Sequence, residues 1–354
     1  MLTLPKPFVL VIILGLVVSS QRIFGQTTNA PVDEPSGIPI LELAVINTSA
    51  QKVLQASGDQ AELRLLESFR SDFPIWKAAA EQNWPAALFL VGECYVYGIE
   101  VAADPAKAFA CFRKAASTDW VPGWVEMGAC YQNGLGTPKN EVEAVKWYRR
   151  AADEGNALGQ ACLGTCYQKG TGVAKDDAQA AKWFNQAAEQ GDATGEWNLG
   201  NCFLTGHGVV KDSSQAVKWF RAAANQGDAA GQSRLGFCYQ EGRGIEKDAV
   251  EAVKWYRLAA EQGDAIAQRN LGICYQEGRG VDKDEAAAIP WYRQAADQDD
   301  AVAQRTLGLC YDKGIGVATN QTEAIRWLRA AADQGDAVAE TRLVTIRSRG
   351  KGPH

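Results

Sequence analysis

The tightest constraint on what this chain can fold into is a period of 36 residues. Tryptophan returns at that step at Trp147, Trp183, Trp219, Trp255, Trp291 and Trp327. Glycine keeps it at Gly92, Gly128, Gly164, Gly200, Gly236, Gly272 and Gly308, and cysteine at Cys94, Cys130, Cys166, Cys202, Cys238, Cys274 and Cys310. Self-similarity at a fixed step of about 20 to 50 residues marks a stacked array, in which each unit buries its apolar face on its neighbours instead of in a core of its own. Length then counts repeats, and the 354 residues read as one extended array instead of two or three globular domains.

Each repeat divides into two helices. In the unit 265–300, Ala267, Leu271, Cys274 and Tyr275 recur at i, i+4, i+7 and i+8, the apolar stripe of a helix A. Gly278, Arg279 and Gly280 end it, since glycine takes the left-handed conformation at little cost. Helix B opens on a capping residue, one of Asp104, Asn140, Asp176, Asp212, Asp248, Asp284 and Asn320. Glu143, Gln179, Gln215, Glu251 and Glu323 follow three residues on and predict reciprocal capping boxes. The apolar face of helix B, for example Ala252, Trp255, Tyr256, Ala259 and Ala260, runs to Gly263, which closes it, and Asp264, which caps the next helix A.

The glycine in the middle of every helix A demands a reason, because it costs about 0.8–1 kcal/mol relative to alanine. Close helix approach supplies one, with the Trp-Tyr or Trp-Phe pair of helix B filling the space. Pro290 stands where other repeats have Lys146, Lys182, Lys218 and Lys254, and Asp299 stands where they have the closing glycine. Proline removes a ladder donor, so a kink is predicted around 286–300.

Outside the repeats, Lys6 precedes an apolar run over 8–18 and small residues at Val18, Ser19 and Ser20, the pattern of a signal peptide over 1–25. The run is too short for the roughly 20 apolar residues that span a bilayer, so no transmembrane segment is expected after cleavage. The mature chain is then exported: periplasmic or extracellular, or lumenal in a eukaryote. A Pro-rich linker over 26–40, a helical cap over 41–84, seven repeats over 85–336, a capping helix over 337–348 and a tail over 349–354 complete the expected order. With 42 acidic against 36 basic residues and a net charge of −6, the chain lacks the basic footprint of a nucleic-acid binder.

The succession Leu-Gly-x-Cys-Tyr, Gly-x-Gly-Val, Ala-Val-Lys-Trp-Tyr and Ala-Ala-x-x-Gly-Asp-Ala resembles the Sel1-like repeat, a relative of the tetratricopeptide repeat, over residues 85–348. The first unit departs from it with Glu100 for the second loop glycine and Cys111-Phe112 for Trp-Tyr. The resemblance implies an all-α fold, an α-solenoid wound as a right-handed superhelix with helix A on the concave side. It also implies a non-catalytic adaptor of membrane, envelope or lumenal complexes. A cysteine-rich branch of the family joins its two helices by disulfides; here alanines (Ala151-Ala152, Ala187-Ala188) stand at the partner position, and that feature is not carried over. Equivalent cysteines of stacked repeats lie about 8–10 Å or more apart, whereas a disulfide needs Cα atoms under about 7 Å. Nine free thiols are expected, with Cys162 and Cys166, four apart on one helix, the pair most open to question.

Catalytic material is sparse. The histidines are His207 and His354, too few for a metal cluster or a triad, so no metal or cofactor is expected. Ser49 to Lys52 and Ser348 to Lys351 match Ser-x-x-Lys at near-chance frequency without companion motifs. The competing class is an envelope hydrolase or penicillin-binding protein of the cysteine-rich Sel1 type, which a labelled β-lactam or serine-reactive probe would mark. What remains for function is the inner face of helix A. One row holds Ala161, Trp197, Ser233, Arg269 and Arg305, a second Thr165, Asn201, Phe237, Ile273 and Leu309, and Leu204 lies one turn on. Trp197, Asn201, Leu204, Phe237, Arg269, Ile273, Arg305 and Leu309 are the candidate contacts for a protein or peptide partner, the aromatic-arginine mix that interfaces favour. The alternative is that these side chains pack against neighbouring A helices.

Overall fold

A computed structural model of the chain describes residues 40–54 and 59–349. The predicted signal peptide, the linker up to residue 39 and residues 350–354 of the tail lie outside the described residues. Every element among the described residues is a helix, and none is long and apolar enough to cross a membrane. The contacts divide the chain into two compact units, one ending at Asp212 and the other beginning at Ser213.

The first unit opens with α1 (Ile40–Leu54), α2 (Asp59–Ser68), a 3-10 turn (Arg70–Asp72) and α3 (Phe73–Glu81), the elements of the expected helical cap. Trp76 of α3 is fully buried. Helix pairs follow in the predicted order: α4 (Pro85–Tyr97) with α5 (Pro105–Ala116), α6 (Val121–Asn133) with α7 (Glu141–Asp153), α8 (Ala157–Lys169) with α9 (Asp177–Glu189), then α10 (Ala193–Thr205). The second unit comprises α11 (Ser213–Asn225), α12 (Ala229–Glu241) with α13 (Ala249–Glu261), α14 (Ala265–Glu277) with α15 (Glu285–Ala296), α16 (Ala301–Lys313) with α17 (Gln321–Asp333), and a last helix α18 (Ala337–Arg349). Within each unit a helix B packs on its own helix A and on the helix A that follows.

The helix ends carry much of this order. Each helix A from α4 to α16 stops on a left-handed glycine, from Gly98 to Gly314, with φ between 69° and 84°. The amide of that glycine donates to the carbonyl of the periodic cysteine, as Gly278 does to Cys274 at 2.9 Å. The second loop glycine has a different task. A Cβ on Gly280 would lie 2.1 Å from the Ala249 carbonyl at the start of the preceding helix B, so glycine there lets successive repeats close up. Before the first repeat the place of helix B is taken by the turn Arg70–Asp72 and the short α3, and Glu100 takes the same left-handed conformation (φ 58°) while its carboxylate pairs with Arg70.

Helix B starts as predicted on side-chain caps. Asp104, Asn140, Asp176, Asp248, Asp284 and Asn320 each accept the amide three residues on, at 2.9–3.1 Å. The reciprocal arm of the expected capping box is not what holds the cap residue's own amide. That amide donates to the aromatic residue at the end of helix A, in the series from Asp104 to Tyr95 (2.9 Å) through Asp212 to Phe203 (2.9 Å) and Asn320 to Tyr311 (2.9 Å). With that donor engaged by the A–B loop, Glu143, Glu251 and Glu323 turn outward to Lys146, Lys254 and Arg326.

The glycine notch is filled by one residue of the aromatic pair, not both. An added Cβ would meet the ring of Phe112 at Gly92, Tyr148 at Gly128, Phe184 at Gly164, Tyr256 at Gly236 and Tyr292 at Gly272, all within 2.4–2.9 Å. Those rings are buried, whereas Trp147, Trp183, Trp255 and Trp291 remain half-buried beside them. At Pro290 the helix α15 runs on unbroken. The perturbation is local: the Ala288 amide reaches the Asp284 carbonyl at 3.3 Å, against 2.9–3.0 Å at the equivalent bonds of α5, α7, α9, α13 and α17. Asp299 adopts the left-handed conformation of the glycine it replaces (φ 64°), which acidic and amide side chains tolerate better than most.

Candidate functional site

Helical geometry turns the glycine, leucine and cysteine of each helix A toward helix B and leaves another face away from it. In the second unit that freer face carries Phe237, Ile273 and Leu309, all half-buried and each packed in part against the buried cluster that its own helix B forms with the helix A that follows, with Ile266 and Val338 exposed. In the first unit the face is less apolar, with Thr165 and Asn201 in the same row. Trp197 and Asn201 are half-buried, and Leu204 is 6% exposed, a core residue of α10 more than a contact surface.

Arg269 and Arg305 lie in the predicted row, but their guanidinium groups are already engaged. Arg269 Nη1 donates to Asp300 Oδ2 at 2.7 Å and Arg305 Nη1 to Asp336 Oδ2 at 2.8 Å. Asp300 caps α16 through the Ala303 amide (2.7 Å) and Asp336 caps α18 through the Ala339 amide (2.9 Å). Each arginine therefore ties one helix A to the N-terminus of the next. Ser233 fills the same row position and hydrogen-bonds Asp264, the cap of α14. Their side chains are 22% and 29% exposed, so the stems still border the free face. Arg342 of α18 likewise pairs with Asp312 of α16.

A second inter-repeat device was not anticipated from the sequence. Gln232, Gln268 and Gln304, in the first turns of α12, α14 and α16, are buried. Their amides donate to Ala224, Ala260 and Ala296 carbonyls at the end of the preceding helix B (3.4, 3.1 and 3.1 Å). Their oxygens accept from Gln262, Gln298 and Gln334 at 2.8–2.9 Å, and those amides also reach the Gly227, Gly263 and Asp299 carbonyls. In the first unit Gln160 and Gln190 repeat the pairing (2.8 Å), and the Trp124 indole donates to the Ala116 carbonyl (3.0 Å) from the same position. The signal lay in glutamines recurring at the 36-residue step.

The family model of the Sel1 repeat matches residues 85–117, 125–156, 157–192, 193–228, 229–264, 265–300 and 301–336. The chain belongs to the Sel1 repeat family. Among solved structures, this Sel1 repeat chain is similar to a Sel1 repeat protein from Oxalobacter formigenes, at 33% identity over 69% of this chain and 96% of that one, with a TM-score of 0.60. It is also similar to c5321 of uropathogenic Escherichia coli, a protective antigen with an SLR fold, at 32% identity over 87% of this chain and 67% of that one, with a TM-score of 0.56. No curated protein matches it.

Of the two Ser-x-x-Lys candidates in this Sel1 repeat chain, the side chains of Ser348 to Lys351 lie outside the described residues, and the other is poorly placed for chemistry. Ser49 of α1 is 3% exposed, so its hydroxyl is not presented to solvent. All nine cysteines are free, Cys162 and Cys166 included, and all but the half-buried Cys111 are buried. Burial pushes their thiols up, Cys94 and Cys166 to about 12 and Cys238 to about 11, so the nucleophilic thiolate is scarce at neutral pH. Among the described residues no group of three or more His, Cys, Asp or Glu could hold a metal ion.

Proposed function

We propose that this chain is an exported, non-catalytic adaptor that holds a segment of a partner protein on the free faces of its A helices. The observation that carries the reading is the row Phe237, Ile273 and Leu309. It is apolar, half-buried and repeated in α12, α14 and α16, on the face turned away from the glycine-aromatic notch, where each side chain is only partly taken up by packing. Aromatic and aliphatic side chains in such a row are the usual anchors of protein recognition. The N-terminal Lys6 and apolar run support export, which N-terminal sequencing of the mature protein tests.

Photo-crosslinking in the native host tests the adaptor role. A crosslinker at Ile273 or Leu309 should yield a discrete adduct, and one at the exposed Val250 of α13 should not. Equal labelling at all three positions, or no adduct at Ile273 and Leu309, would remove the reading.

A further inference from the structure

Three arginines on the A helices of the second unit are each held by a carboxylate of its own chain. Arg269 holds Asp300, Arg305 holds Asp336 and Arg342 holds Asp312. Arg234 differs from them. It is half-buried on α12 and makes no ion pair or hydrogen bond among the described residues, because the inter-repeat tie that Arg269 and Arg305 provide is made there by Ser233, one position earlier. Arg342 occupies the same repeat position as Arg234, three repeats on, and there the guanidinium takes a carboxylate.

One turn along the same face from Arg234 lies Phe237, and the guanidinium of Arg243, in the loop after α12, sits 4.9 Å from the centre of its ring. Arg243 is exposed and forms no ion pair among the described residues. Its equivalent Arg279 pairs with Glu277, whereas the matching Glu241 accepts a hydrogen bond from Gln240 (3.0 Å). Two guanidinium groups that make no ion pair or hydrogen bond among the described residues thus border an aromatic ring, with the Asp264 carboxylate within Coulombic reach of Arg234, in a chain whose net charge is −6. A carboxylate delivered between the two would form charge-assisted hydrogen bonds with both.

We propose that Arg234, Phe237 and Arg243 form the anchoring point for an acidic peptide segment, one in which an aspartate or glutamate adjoins an aromatic or aliphatic side chain. The carboxylate lies between the two guanidinium groups, the neighbouring apolar side chain rests on Phe237, and the segment continues along the free face toward Ile273. This deepens the adaptor reading and rests on it: the partner segment is acidic and apolar, not basic.

The test uses the full chain and a dye-labelled hexapeptide, Glu-Leu-Glu-Phe-Glu-Leu with blocked ends, against its counterpart with every glutamate replaced by glutamine. Fluorescence anisotropy should show binding of the acidic peptide, and about tenfold or greater weakening for the glutamine peptide, for Arg234→Gln and for Arg243→Gln. Raising the salt should weaken the acidic peptide alone. An unchanged thermal midpoint for Arg243→Gln, whose side chain is exposed in a loop, separates loss of binding from loss of fold. Equal affinity for the two peptides, wild-type affinity in both variants, or no binding of the acidic peptide at millimolar concentration would each overturn the proposal. If crosslinks at Ile273 persist while the acidic peptide fails, the adaptor role stands and the acidic specificity falls; if both fail, both fall.

Discussion

Asp228 caps α12 at a cost that a single atom exchange should remove. Its Oδ1 accepts the Gly231 amide at 2.5 Å, while its Oδ2 is buried without a partner among the described residues. The sister caps Asp300 and Asp336 have an arginine on that second oxygen, and Asp264 has Ser233. Burial pushes the Asp228 carboxyl up to about 7, against the pull of the Gly231 amide and with a further push from the Asp264 charge. The unfolded carboxyl ionises near 3.8, so between these values the folded chain holds a proton that the unfolded chain has released. The penalty for the buried charge is therefore complete above about pH 7 and disappears as the pH falls toward 4. A difference of about three pH units corresponds to about 4 kcal/mol. Asn156 shows that asparagine serves this position, since its Oδ1 accepts the Gly159 amide at 2.8 Å. Asp228→Asn should stabilise the protein by up to about 4 kcal/mol at pH 8, less at pH 6, and by almost nothing at pH 4. Urea unfolding followed by circular dichroism at the three pH values measures this. An advantage that is the same at every pH, or larger at pH 4, would refute the account of a buried, unpartnered charge.

Two further expectations concern packing and the glutamine ladder. Gly272→Ala places a Cβ 2.7 Å from two ring carbons of the fully buried Tyr292 and should lower the thermal midpoint, with a loss of about 1–3 kcal/mol that deepens for Gly272→Leu. Gly263 has open space around it and only a left-handed φ of 97°, so its loss should not grow from Ala to Leu. A size-dependent loss at both sites would contradict the notch. Gln268→Leu removes the donor to the Ala260 carbonyl and the acceptor for the Gln298 amide, and should cost about 1–3 kcal/mol, with faster amide exchange in the repeats on both sides. Unchanged exchange on the Gln298 side would mean that the ladder does not couple neighbours.

The helix boundaries were legible because the sequence marks them with residues that act locally. Gly278, Asp284 and Asp264 need no distant partner to end or begin a helix. The glycine notch was legible as a need for space, but not which ring fills it: Trp255 and Tyr256 are adjacent, and only the pitch of helix B decides that Tyr256 points at Gly236. The capping boxes misled for a similar reason. The spacing of Asp248 and Glu251 permits a reciprocal bond, yet the Asp248 amide is already engaged by the Tyr239 carbonyl, nine residues earlier and across the loop. Local patterns report what a group can do, and tertiary contact determines which option is taken.

The candidate site depends on contacts at longer reach. Helical periodicity correctly grouped Ser233, Arg269 and Arg305, and was blind to their partners Asp264, Asp300 and Asp336, which lie 31 residues further on. Once those ties are known, the meaning of the row changes. A charged residue on a repeat face counts toward recognition only after its neighbours' claims on it are subtracted. Arg269 and Arg305 are then joints of the array, and Arg234, one position outside the tying row, keeps its hydrogen-bond donors unused among the described residues while its charge acts on Asp264 only at longer range. In a periodic protein the functional residue is therefore found where one repeat fails to make a contact that its siblings make. Asp228 shows the same failure in the opposite sign, as a carboxylate oxygen without a partner where Asp264, Asp300 and Asp336 have one. The two departures have opposite consequences for stability and binding: neutralising Asp228 should strengthen the fold, whereas neutralising Arg234 should leave the array standing and weaken its hold on an acidic segment.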